Sequence, residues 1–289
     1  MPVDNESEPG AWKREMEAAP WLYKPIEVGM KDMTVYPHAA TYNKDYQLLF
    51  RDRDHQEAFL RVLSQVSAML KTNREDSGST LHDDLLVWFR NLFFLTEERF
   101  QEAFREFEQD QMLRARMWRI YNLCWGVNQA SYVRGDVIDI GCYEAKSTKV
   151  FCNYNKDLFK GKGLYLFDIF DNPPAEAKKY NHGPHLVEEV KGRMARFNPI
   201  VVPGDVTQTI PASLPDEICF AHIDLNDADA EAYVMPEVYL RMPPGGVMIL
   251  DDYGFKRYRK SAEAHQKFLQ NRPEKVLELP TGQGLLIKT

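Results

Sequence analysis

Hydrophobic positions change their period at about residue 134 of this 289-residue chain. Before that point the spacing is helical where it is regular at all. Residues 1 to about 45 scatter Pro, Gly and aromatic residues without a period, which predicts an extended arm or tail. From about Tyr46 to Lys71, Phe59, Leu60, Leu63, Val66 and Leu70 recur at helical spacing. The polar stretch NREDSGST then reads as a loop. A second helix is expected over about Leu81–Leu95. A third starts after Thr96, with Thr96 as N-cap and Glu97 and Glu98 favouring the helix dipole, and runs to about Val133 with room for a break. On it, the aromatic residues Trp118, Tyr121 and Trp125 read as core. The region 46–133 is therefore a helical N-terminal part, and residues 134–289 form a second domain.

In that second domain short apolar, β-branched runs alternate with helical stretches. The runs are DVIDIG (136–141), GLYLFDIF (163–170), NPIVVPGD (198–205), ICFAHIDL (218–225), GGVMILDD (245–252), KVLELP (275–280) and GLLIKT (284–289). Five strands alternating with helices predict a parallel sheet covered on both faces. Only Thr281, Gly282 and Gln283 separate the last two runs, so those strands should pair antiparallel. The expectation is an α/β fold with a seven-stranded, mostly parallel sheet and an antiparallel C-terminal hairpin.

Composition narrows the function. The formal net charge is −7, which gives no general basic field for nucleic acid. The local basic run Lys256, Arg257, Arg259, Lys260 reads as a solvated helix face. Cys124, Cys142, Cys152 and Cys219 form no CxxC pair. Zinc is not expected, and free thiols in a reducing compartment are. The acidic, polar start is unlike a signal peptide, and no apolar run is long enough to span a bilayer. A cytoplasmic protein without a membrane or nucleic-acid partner is expected, with homo-oligomerisation left open.

The chemistry gathers at the strand ends. In open α/β sheets, ligands bind at the carboxyl ends of the strands, and each of the five parallel runs carries an acid near its end: Asp139, Asp168, Asp205, Asp224, and the pair Asp251 and Asp252. The first turn, Asp139 to Ser147, has Gly141 but not the other glycines of GxGxxG, so the dinucleotide fingerprint is not met. Gly141 reads either as the point where a cofactor approaches the backbone or as an ordinary tight turn. Asp168, 29 residues beyond Asp139, suits a carboxylate that accepts both hydroxyls of a ribose. Asp224, Asp251 and Asp252 together make a hard oxygen site suited to Mg²⁺.

These segments resemble the macrocin O-methyltransferase (TylF-type) family. The match lies in GDVIDIG, LYLFDIFD, AHIDLND, MPPGGVMILDDYG and LPTGQGLLIK, in family order, from about Arg134 to Thr289. The resemblance implies a Rossmann-like class I fold and an S-adenosylmethionine- and Mg²⁺-dependent O-methyltransferase acting on a sugar or phenolic hydroxyl. It places Gly141 and Ser147 against the methionine part of the cofactor, with Asp139, Cys142 and Tyr143 in the same turn as further contacts. Asp168 would bind the ribose, Asp205 and Val206 would lie near the adenine, and Asp224, Asp251 and Asp252 would hold the metal. The chain departs from the family twice. Ala145 and Lys146 stand where two glycines are common, and Asn226 stands where a candidate base is common. Asp227 next door is the substitute base, Asp229 the lesser one. His185, in the polar loop NHGPH, is an imidazole alternative with an unperturbed pKa of about 6.5. The resemblance also implies that Asp224 would be a metal-bound catalytic carboxylate. Two other readings stay open: a binding protein on a degenerate methyltransferase fold, and a Mg²⁺-dependent hydrolase or phosphotransfer enzyme, although no phosphate-cradling Gly-rich loop is present.

Overall fold

A computed structural model describes residues 61, 80–83, 85–87, 90–157, 159, 161–170, 182–183 and 185–289. The expected arm (1–45) and nearly all of the first expected helix (46–71) lie outside these residues. The chain divides into two compact units, Met1–Ala115 and Arg116–Thr289.

In the first unit, β1 (Thr80–His82) and β2 (Leu85–Val87) form an antiparallel hairpin, with Thr80 opposite Val87. The helix expected over Leu81–Leu95 is therefore corrected to a hairpin followed by a single 3₁₀ turn, Phe93–Leu95. Asp83 explains the difference. It takes a left-handed backbone at φ 52 and its amide donates to Ala115 O at 2.6 Å, which ends any helix there. Thr96 is not the N-cap either. Its hydroxyl donates to Phe93 O at 3.0 Å, and Glu97 stands at the start of α1 (Glu98–Phe104). Asp110 caps the short α2 (Gln111–Arg114) by accepting from the amides of Met112 and Leu113. Phe94, Phe100 and Phe104 are buried together, with ring centroids 5.9 and 5.8 Å apart along the chain.

The second unit opens with α3 (Met117–Ala130). Its buried stripe is Met117, Ile120, Leu123, Cys124, Val127 and Ala130. Trp118 and Tyr121 are only half-buried and Trp125 is 37% exposed, so the core reading of that aromatic set is corrected: it lies on the less buried side of the helix. Gly126 lets α3 approach the sheet closely, since a Cβ there would meet the Phe220 ring at 2.7 Å.

The remaining elements alternate as expected: β3 (Asp136–Ile140), α4 (Lys146–Tyr154), β4 (Leu164–Asp168), α5 (His185–Met194), β5 (Ile200–Pro203), α6 (Val206–Thr209), β6 (Ile218–Ile223), α7 (Ala228–Leu240), β7 (Val247–Leu250), α8 (Arg259–Leu269), β8 (Leu277–Glu278) and β9 (Gly284–Ile287). They build one seven-stranded sheet in the order β5-β4-β3-β6-β7-β9-β8. Strands β3 to β7 are parallel, and β9 runs antiparallel to both β7 and β8. Every residue of β6 and β7 is buried, as strands covered on both faces require. From β3 the chain winds outward through β4 and β5, then returns to β6 on the other side. The strand order therefore reverses between β3 and β6, and in open α/β sheets that reversal opens the ligand crevice.

Candidate functional site

The register sets the site. Ile140 pairs with Ile223, and Ile223 with Leu250, so the next residues of three adjacent strands are Gly141, Asp224 and Asp251. Backbone hydrogen bonds continue past the strand ends: Asp224 N donates to Ile140 O at 2.8 Å and Asp251 N to Ile223 O at 3.0 Å. Gly141 lies at φ +88, and a Cβ there would stand 1.8 Å from Asp224 O. The glycine is thus required by the close passage of the chain after β6.

The first turn is unusual in its backbone. Tyr143 at φ 47 and Ala145 at φ 52 hold left-handed conformations without being glycine. The conformation is anchored by Asp168, whose Oδ2 accepts from Tyr143 N at 2.8 Å and Oδ1 from Phe170 N at 2.9 Å. His182 Nε2 lies 3.4 Å from the same Oδ1, and its ring sits against Tyr143 at 5.1 Å between centroids. An ionised carboxylate has about four acceptor sites, of which the two amides and the His182 ring leave part open. Lys146 pairs with Glu144 at 2.7 Å. Ser147 is half-buried in the first turn of α4, and Cys142 is buried.

The acids after β6 and β7 meet. Among the described residues, one ligand atom each from His222, Asp224 and Asp251 lie within 4.8 Å of one another. Asp252 stands beside them and shares the Arg119 guanidinium with Asp251. Arg119 of α3 contacts Asp251 Oδ2, donates to Asp251 O at 2.8 Å, and reaches Asp252 Oδ1 at 3.3 Å. Gln283, fully buried, donates to Asp251 Oδ1 at 2.9 Å and accepts from Asn122 Nδ2 at 2.9 Å and Thr281 Oγ1 at 3.1 Å. On the other side Tyr258 donates to Asn226 Oδ1, and Asn226 Nδ2 donates to Asp224 Oδ1 at 2.9 Å. Asn226, at φ 56, therefore orients Asp224 where the family resemblance would put a base.

Charge is crowded here. Burial and the neighbouring carboxylates of Asp251 and Asp252 raise the Asp224 pKa well above the usual carboxylate range. Burial also raises Asp252, Arg119 opposes it, Asp251 adds to it, and the result is about 6. Burial would raise Asp251 as well, but Arg119 and His222 outweigh it and hold its carboxylate below the ordinary range. For His222 burial favours the neutral ring, yet Asp139 and Asp251 overcome it and raise the imidazole. Among the described residues, the buried atoms without a hydrogen-bond partner include Asp252 Oδ2 and His222 Nε2 of this group. An unsatisfied carboxylate oxygen in a group of acids suits a divalent cation, and the converging ligand atoms of His222, Asp224 and Asp251 fit one.

Other expected site residues lie elsewhere. Asp139 is buried within β3, where its carboxylate bonds Thr148 Oγ1 and His222 Nδ1, the latter at 2.8 Å. Asp205 is exposed and caps α6, its Oδ1 accepting from Thr207 N at 2.8 Å, and Val206 is buried in the core. Asp227 caps α7, its Oδ1 accepting from the amides of Asp229 and Ala230 at 3.0 and 2.8 Å, which answers to the ordinary N-cap role. His185 is exposed at the start of α5. Lys256, Arg257, Arg259 and Lys260 are all exposed, as expected. All four cysteines are buried free thiols. No helix among the described residues is long and apolar enough to cross a membrane.

Sequence reasoning passed over His222, Arg119, Gln283 and Tyr258. His222 had a signal. It is the one polar residue of a strand that is otherwise entirely apolar, and it lies two residues before Asp224, on the same face.

No protein-family model matches the sequence, and no curated protein is similar to it. Solved structures share its fold. The O-methyltransferase NovP superposes with a TM-score of 0.51 at 14% identity, over 61% of this chain and 81% of that one. The calicheamicin methyltransferase CalS11 gives 0.49 at 16% identity, over 66% and 92%. The Podospora anserina methyltransferase PaMTH1, solved bound to SAH, gives 0.49 at 11% identity, over 79% and 96%. At these identities the likeness, carried by NovP, is one of fold. The sheet with its antiparallel C-terminal strands is the Rossmann-like methyltransferase architecture.

Proposed function

We propose that the chain is an S-adenosylmethionine-dependent O-methyltransferase acting on a hydroxyl of a sugar or phenolic small molecule with divalent-cation assistance. One observation supports it most. The rim where the strand order reverses carries an anchored acid with spare acceptor capacity, Asp168, and a cation-directed acid group, Asp224 and Asp251, on either side of Gly141. The fold shared with NovP supports the same reading.

In this account the turn Gly141–Ser147, with Cys142 and Tyr143, borders the methionine part of the cofactor. Asp168 holds the ribose hydroxyls, and Asp205 and Val206 lie towards the adenine. The cofactor supplies a methyl group on a sulfonium, ready for in-line displacement. Asp224 and Asp251, with Asp252 beside them, hold the cation. Mg²⁺ is the ion that an oxygen-only set calls for, and it supplies Lewis acidity and a fixed orientation for the acceptor oxygen. The protein's own work is mainly positioning, which lowers a barrier by roughly 7–11 kcal/mol when geometry is good. Asn226 and Tyr258 fix the Asp224 carboxylate. Asp224 is the carboxylate assigned to the hydroxyl proton, and a bound cation would relieve the crowding by Asp251 and Asp252 that otherwise disfavours its ionised form. Asp227 keeps only one oxygen for that role, because the other caps α7.

Titration calorimetry with S-adenosylhomocysteine, with and without Mg²⁺, tests the reading together with methyl transfer to sugar and phenolic diols. Micromolar binding and cation-stimulated transfer are expected. No binding refutes it. Binding without transfer to any acceptor would make this a binding protein on a methyltransferase fold.

A further inference from the structure

The Asp139–His222 pair is not needed for the oxygen-only site just described. Asp139 lies in β3 and His222 opposite it in β6, in direct register, and both are buried to more than nine-tenths. Asp139 Oδ1 lies 2.8 Å from His222 Nδ1, and Asp139 Oδ2 is held by Thr148 Oγ1. A carboxylate acceptor at Nδ1 keeps a proton on that nitrogen and turns Nε2 towards the other side of the ring. There Nε2 has no hydrogen-bond partner, and it lies 3.4 Å from Asp251 Oδ1. A positive charge between Nε2 and that oxygen would hold the two facing groups together, and a cation bound by both fills that place without a proton on Nε2. Asp224 brings a third ligand atom to within 4.8 Å of the other two. Asp252 lies beside this set, with Arg119 reaching both it and Asp251, and is not among the three residues whose ligand atoms converge.

We infer that His222 is a nitrogen ligand of the cation site, in a His222–Asp224–Asp251 set, and that the site prefers a transition dication such as Mn²⁺ or Co²⁺ over Mg²⁺. Imidazole suits transition metals, whereas Mg²⁺ favours all-oxygen surroundings. Asp139 is the positioning residue: it fixes the tautomer and the ring plane, as carboxylates behind metal-bound histidines do. Thr148 in turn fixes Asp139. This rests on the proposed cation site but changes the identity of its occupant.

The test uses the full chain, stripped of metal by dialysis. Mn²⁺, Co²⁺ and Mg²⁺ are titrated separately by calorimetry, and the Mn²⁺ sample is examined by pulsed EPR for imidazole nitrogen coupling. Mn²⁺ and Co²⁺ are expected to bind at least about tenfold more tightly than Mg²⁺, with nitrogen coupling present in the unmodified protein. His222→Gln should remove the coupling and weaken Co²⁺ binding on the order of 10–100-fold. Asp139→Asn should weaken it while leaving the coupling in place. Mn²⁺ bound without nitrogen coupling, or Mg²⁺ bound as tightly as Co²⁺, overturns the inference. So does failure of all three ions to bind, in which case His222 is an imidazolium balancing Asp251. Because the coupling is read on the unmodified protein, a variant that fails to fold does not blunt the test. S-adenosylhomocysteine titrated into the same samples separates the readings. Cofactor binding without the metal result removes this inference alone, and loss of both removes the proposed function as well.

Discussion

Replacing Gly141 with alanine should damage the site and the fold together, because this glycine lets two strand tips touch. A Cβ at residue 141 would lie 1.8 Å from Asp224 O and 2.6 Å from Asp224 C, far inside the roughly 3.5–4.0 Å of a relaxed carbon contact. Both obstructing atoms are backbone, so no rotamer relieves the clash. The φ of +88 adds a conformational cost of about 1–2 kcal/mol for a residue with a side chain. Moving the Asp224 backbone away strains the 2.8 Å bond from its amide to Ile140 O, a loss of about 1 kcal/mol. The sum is roughly 2–3 kcal/mol. At about 2–4 °C per kcal/mol for a unit of this size, the melting temperature should drop on the order of 5–10 °C. The control is Gly192→Ala on α5, where a Cβ meets nothing within 4 Å and helix propensity should add about 0.5–1 kcal/mol. Thermal and urea unfolding of the full chain, followed by circular dichroism, give both numbers. If the two variants shift stability equally, or if Gly141→Ala is neutral, the proposed approach of the β3 and β6 tips is wrong.

The first turn makes the opposite prediction. Ala145→Gly at φ 52 relieves a left-handed alanine and should stabilise by up to about 1 kcal/mol, read by urea unfolding; destabilisation would show the turn is not left-handed. Arg119→Met leaves Asp251 and Asp252 without their guanidinium and should cost about 3–5 kcal/mol without metal. Added divalent cation should recover part of that loss, and no recovery would argue that the cation does not bind at these acids. Glu231 and His265 are buried 3.3 Å apart, and burial raises Glu231 from 4.5 to about 8 and lowers His265 from 6.5 to about 4. The folded pair then holds one proton between those limits. Above pH 6.5 the unfolded chain holds none on this pair, so stability should fall as pH rises through 8, by about 2 kcal/mol at 1.36 kcal/mol per unit. Glu231→Gln should flatten that limb in urea unfolding between pH 6.5 and 8, and an unchanged slope would assign it to other groups.

Much of the second unit was legible because its signals are local. The runs 136–141 to 284–289 each hold an observed strand, and the turn at Thr281–Gln283 joins two antiparallel ones. The acids at their ends followed from the same pattern. What the pattern did not carry was direction and partnership. Asp139 and Asp224 both sit near strand ends, yet only Asp224 faces the acid group, while Asp139 is turned to His222 and Thr148. Asp227 looked like a base because it stands beside Asn226. It caps a helix because two free amides of α7 follow it. Arg119 acts 132 residues away from Asp251, and no local pattern reports a contact that only the packing of α3 creates. In the first unit the leucines at 81, 85 and 86 suit either period, and the left-handed Asp83 decided for a hairpin.

The central claim is that one rim of the sheet takes a methyl donor and a cation side by side. A crystal of the full chain grown with S-adenosylhomocysteine and Mn²⁺, measured at the manganese absorption edge, tests it directly. The account predicts a single anomalous peak bounded by Asp224, Asp251 and His222, and nucleoside density whose ribose hydroxyls meet Asp168 across Gly141. A peak elsewhere, or a nucleoside bound away from Asp168, would contradict it.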